Sequence, residues 1–98
     1  MTKTAEIVTF RLAEGTDTQA FLAAAQAMTP FLQSTGAYLG RALSVDQDGL
    51  WTDHITWTDH SAALAAAEQM MTRPEGGAFM AHIDPGSVTM RHAAVQME

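Results

Sequence analysis

Residues 48–60 read DGLWTDHITWTDH, and these thirteen positions hold two tryptophans, two histidines and three aspartates. Such side chains can ligate a metal, move protons or grip an aromatic ring. Metal ligation asks for short spacings such as HxH or HExxH, and none joins His54, His60, His82 and His92. His54 and His60 fall on a strand and at a helix start, so their imidazoles are expected to face different surroundings. No metal is assigned.

The stronger polar set is Arg41, Asp53 and His92. All three share the side of their strands that otherwise carries apolar residues, and buried charges need partners of this kind. In a substrate site Arg41 would orient the ligand, and Asp53 or His92 would serve as the acid/base group. Phe10, Trp51, Trp57, Phe79 and Met90 are expected to wall an apolar cavity beside them. The plainer reading is an edge ion pair, a satisfied histidine and an ordinary core rich in methionine. His54 is expected at a subunit interface, His60 in solvent on the first turn of a helix, and His82 in an exposed loop.

These residues are positioned by elements whose periods are legible. EIVTFRL (6–12) alternates with period two, placing Val8, Phe10 and Leu12 on one face and Ile7, Thr9 and Arg11 on the other. Thr16 with Gln19 makes a capping box ahead of a helix whose stripe runs through Phe21, Leu22, Ala25, Met28 and Leu32. Pro30 should interrupt that helix, and Gly36 end it. DQDG (46–49) suits a type I turn with Gly49 in a G1 bulge. Pairing Asp46 with Leu50 then sets Val45 opposite Trp51, Leu43 opposite Asp53, Arg41 opposite Ile55 and Leu39 opposite Trp57 on the inner side. Tyr38, Gly40, Ala42, Ser44, Thr52, His54 and Thr56 fall on the outer side. Thr58 or Asp59 caps a second helix with an apolar face of Ala63, Ala66, Ala67, Met70 and Met71, which Pro74 stops. A helical turn at 78–82 and a last strand through Val88, Met90, His92 and Ala94 complete the chain. The order β-α-β-β-α-β predicts an α+β, ferredoxin-like domain over residues 1–98, with two helices on one face of a four-stranded antiparallel sheet.

Composition narrows the partners. Five basic residues against eleven acidic ones give a net charge of −6, which argues against a nucleic-acid ligand. With no cysteine, disulfides and thiolate chemistry are excluded. MTKTAEIVTFRL has no apolar signal region and no run approaches the length of a membrane span, which leaves the cytoplasm as the expected compartment and no membrane partner. An apolar fraction of 47% leaves surface to cover, and a homodimer would cover it.

The segments IVTFRLAEG, AFLAAAQAMTPFL, DGLWTDHITW, TDHSAALAAAEQM and IDPGSVTMRH together resemble the dimeric α/β barrel superfamily. It includes the antibiotic biosynthesis monooxygenase-like and stress-responsive A/B barrel domains. The resemblance implies a homodimer in which two sheets pack through their uncovered faces, and a small molecule held between helices and sheet in each subunit. Monooxygenase-like members often carry Glu two residues before the Trp that closes strand 3 and His about nine after it; here those places hold Ile55 and Ala66. Haem handling also occurs in the superfamily and would require a pocket-facing histidine, a place open to His92; no cofactor is assigned. Two function classes follow: a cofactor-independent, monooxygenase-like enzyme acting on an aromatic substrate, or a non-enzymatic dimer with a small-molecule-binding, structural or regulatory role.

Overall fold

The computed structural model describes residues 2–98. Strand β1 (Thr4–Phe10) leads to helix α1 (Thr18–Ala27), and a second short helix α2 (Thr29–Ser34) restarts at Pro30 as that residue's missing N–H demands. Strands β2 (Tyr38–Val45) and β3 (Trp51–Trp57) form a hairpin, followed by α3 (His60–Met70), α4 (Pro74–Met80), a 3₁₀ turn at Pro85–Ser87 and strand β4 (Thr89–Ala94). The sheet is antiparallel throughout, in the order β2-β3-β1-β4. This is the predicted ferredoxin-like topology.

Two helix boundaries differ from expectation. Asp17, not Thr16, caps α1: its Oδ1 accepts the Gln19 N–H at 3.4 Å. The Thr16 hydroxyl instead donates to the His82 carbonyl at 3.3 Å, tying the start of α1 to the loop after α4. Pro74 opens α4 instead of merely stopping α3, because a proline in a first turn forfeits no intrahelical bond. Helix α3 begins as expected at an Asp59 cap, and the Ala62 N–H donated to it at 2.8 Å holds the Asp59 carboxyl below the usual carboxylate range. Gly76 lets α4 lie against the end of α3, since a Cβ there would strike the Met70 carbonyl and thioether.

The hairpin turn is the one DQDG dictates. Asp46 N–H donates to the Leu50 carbonyl at 3.0 Å, Leu50 N–H to Asp46 Oδ1 at 2.9 Å, and Gly49 takes φ 85°. The predicted register holds from Val45↔Trp51 through Leu43↔Asp53 to Arg41↔Ile55, then breaks at a bulge between Tyr38 and Gly40. Tyr38, not Leu39, therefore stands opposite Trp57, and the two rings meet nearly edge-to-face with centroids 6.2 Å apart. Leu39 is left half-exposed. One inserted residue exchanges the two faces, and burial of an aromatic pair outweighs burial of the leucine.

On β3, Trp51, Asp53, Ile55 and Trp57 are buried while Thr52, His54 and Thr56 are not, so the helices cover a single face. Phe21 of α1 is the hub of the core, with ring centroids 5.0 Å from Trp51, 5.3 Å from Phe79 and 5.8 Å from Phe10. Ala25, Ala63 and Ala66 are buried beside them and let the helices settle close to the sheet. No described helix packs on the opposite face, which presents Ile7, Thr9, Ala42, Thr52, His54 and Arg91.

Candidate functional site

Alternation along β2 and β3 turns Arg41 and Asp53 toward the helices, where each side chain is less than a tenth exposed. Diagonal neighbours in the hairpin, they meet in a two-pronged pair: Nε donates to Oδ1 at 2.9 Å and Nη2 to Oδ2 at 2.7 Å. Nη1 donates to the Ala25 carbonyl at 2.8 Å, so the guanidinium also pins α1 onto β2, with its carbon 5.4 Å from the centre of the Phe79 ring. Both Asp53 oxygens are committed. The carboxylate is thus built to hold Arg41, whose remaining N–H groups are free to meet a ligand acceptor.

His92 does not join this pair. Its register partner on β1 is Glu6, and His92 Nε2 lies 3.1 Å from Glu6 Oε1 with both side chains nearly buried. Burial pushes the Glu6 carboxyl up from its ordinary value; the hydrogen bond and charge of His92 pull it down, Asp53 adds to the rise and Arg41 opposes it. The His60 ring, at the start of α3, stands perpendicular to the His92 ring with centroids 5.4 Å apart. His60 is exposed, as expected. Glu6 was legible as an inner-face residue, since it shares the period of Val8 and Phe10; only its partner across β4 required the folded sheet.

The expected apolar cavity is filled. Phe10, Trp51, Trp57 and Phe79 are each less than a tenth exposed and belong to one packed cluster, while Met90 lies half-exposed on edge strand β4 and walls nothing with them. The alanine-rich helices have drawn in to the sheet, so the large rings meet one another. Open space of about 470 Å³ lies instead between α1 and β2, a depression lined by Gln19, Leu22, Gln26, Tyr38, Arg41 and Leu43. Arg41 alone of the predicted site residues borders it. Trp57, which packs against Tyr38, is 1% exposed, and its indole N–H has no hydrogen-bond partner among the described residues.

The remaining histidines are dispersed. His54 sits on the uncovered face between Ile7 and Ala42. His82 is half-buried, its ring 6.2 Å from Phe21 and its carbonyl accepting from Ala13 and Thr16. Among the described residues no three His, Asp or Glu side chains converge as a metal site. Haem does not fit either, because His92 turns Nε2 to Glu6 and lies away from the depression. No described helix is long and apolar enough to cross a membrane.

No protein-family profile matches the chain, and no curated protein does. Solved structures do. SnoaB, a cofactor-independent oxygenase from Streptomyces nogalater, aligns over 100% of this chain and 95% of its own at 16% identity with a TM-score of 0.71. A candidate antibiotic biosynthesis monooxygenase from Bordetella bronchiseptica aligns over 99% of this chain and 100% of its own at 13% identity and a TM-score of 0.82. A Pseudomonas aeruginosa protein covers 99% and 97% at 18% identity and 0.68. Identities this low carry the fold and leave the chemistry to the site. The four-stranded sheet, its helical cover and these alignments together show a ferredoxin-like α+β fold that the chain shares with SnoaB and the Bordetella bronchiseptica protein.

Proposed function

We propose that the protein is a homodimeric α/β barrel that binds an aromatic small molecule in the depression between α1 and β2 of each subunit. The observation that carries this reading is the unpartnered indole N–H of Trp57, whose ring packs nearly edge-to-face against the Tyr38 ring that lines the depression. A buried donor left without an acceptor costs about 1–3 kcal/mol, and a ligand oxygen reaching it would remove that cost. Leu22, Tyr38 and Leu43 supply the apolar wall, and the outer N–H groups of Arg41 bind a carbonyl or hydroxyl. The Arg41–Asp53 pair is neutral as a unit, which favours a neutral acceptor over a carboxylate. A thermal-shift screen of hydroxylated and keto aromatics tests it: a binder raises the melting temperature by mass action, and Trp57→Phe weakens its effect. A broad screen without a hit would end this reading.

A second reading, monooxygenase-like catalysis without a cofactor, is favoured by the buried Glu6–His92 pair and by the fold shared with SnoaB. In it His92 removes the proton of a phenolic or enolic substrate, whose anion then reacts with dioxygen, at a station separate from the Arg41–Asp53 pair. Oxygen uptake with a stabilising ligand, lost in His92→Ala, supports this reading. Stabilisation without uptake leaves the binding protein.

A further inference from the structure

We propose that Glu6 is a positioning residue that holds His92 in one tautomer, with the proton on Nε2 and Nδ1 as the basic nitrogen. The inference rests on the monooxygenase-like reading above and names how its base is made. Three observations carry it. The register places Glu6 directly across from His92, so the contact between Nε2 and Oε1 at 3.1 Å is set by the backbone of two paired strands and not by mobile side chains. Both side chains are nearly buried, so water competes weakly for the shared proton. Nδ1 makes no hydrogen bond to the described residues, and the His60 ring at the start of α3 stands perpendicular to the His92 ring at 5.4 Å between centroids.

An ionised carboxylate only accepts, so the ring nitrogen facing it must carry the hydrogen, and the other nitrogen is left with its lone pair. When Nδ1 takes a proton from a weak carbon or oxygen acid, the substrate X–H bond breaks, an N–H bond forms, and the imidazolium is paired with Glu6 as the substrate becomes an anion. This is the arrangement by which a carboxylate orients a catalytic imidazole elsewhere. The charged and titratable groups around the pair are His60 on α3, Asp53 on β3 and Arg41 on β2. Burial favours the protonated acid at Glu6, and its bond to His92 works the other way.

The test is the ¹⁵N spectrum of the imidazoles in the intact protein at neutral pH, assigned with His92→Gln. The expected result is a His92 ring with one protonated nitrogen, Nε2, and one unprotonated nitrogen, Nδ1. Glu6→Gln retains an acceptor oxygen and keeps that tautomer; Glu6→Leu removes it and gives a mixture. A wild-type ring protonated at Nδ1, an equal mixture in the wild type, or an unchanged tautomer in Glu6→Leu overturns the proposal, and the wild-type spectrum decides even if the leucine variant does not fold. Should a substrate be found, Glu6→Gln lowers kcat about a hundredfold, the lower end of what positioned acid–base groups contribute, with KM little changed. The Nε2–H tautomer without any oxygen uptake would uphold the pair and remove the enzyme reading, whereas uptake with the opposite tautomer would do the reverse.

Discussion

Arg41 and His92 stand at the two ends of a single cross-strand row: Arg41 is paired with Ile55, Ile55 with Glu6, and Glu6 with His92. Three interstrand spacings separate them, about 14 Å. Each end has its own partner, Asp53 for Arg41 and Glu6 for His92, so the helix-covered face carries two separate polar stations with apolar packing around them.

Breaking the Arg41–Asp53 pair from one side strands a buried charge. Arg41→Met should cost about 3–5 kcal/mol in urea denaturation, and Asp53→Leu a similar amount. The double variant should recover much of the loss, because two apolar side chains then replace a desolvated pair. Additive losses would show that the pair is not the unit.

Stability should depend on pH through Glu6. Its folded-state affinity for a proton is raised by burial, so its contribution is fully present below the ordinary value of 4.5 and is lost as pH rises through the raised folded value. Glu6→Gln should therefore be the more stable protein at pH 7, and the advantage should disappear below pH 4.5. Equal stability across that range would count against the burial argument.

The sheet face bearing Ile7, Thr9, Ala42 and His54 has no described cover, and we expect a second copy to supply it. Sedimentation of a dilute sample should give twice the chain mass, and His54→Asp should raise the dimer dissociation constant by about tenfold or more through a buried, unpaired charge. A monomer at all concentrations would remove the shared barrel.

The seating of α4 on α3 depends on the absence of a side chain at Gly76. Gly76→Ala should destabilise the fold by about 1–3 kcal/mol, the usual cost of forcing a methyl group into filled space. Gly77→Ala, one residue on where a Cβ meets nothing, is the control and should be neutral or better in a thermal melt.

Local information was sufficient wherever a period or a turn had one solution. The alternation of EIVTFRL and LWTDHITW, the DQDG turn and the Asp59 cap each act within a few residues, and together they determined the element order, the inner face of β3 and the meeting of Arg41 with Asp53. The bulge at Tyr38 was beyond reach, because the choice between burying Tyr38 or Leu39 depends on the Trp57 ring across the hairpin. The pairing of Glu6 with His92 joins residues 86 apart along the chain, a contact whose partner exists only once β4 docks beside β1. Whether alanine-rich helices leave a cavity or close on the sheet was decided by the fit of Phe21 among Trp51, Phe79 and Phe10, since packing in three dimensions settles where volume remains and a sequence records only how much each residue brings.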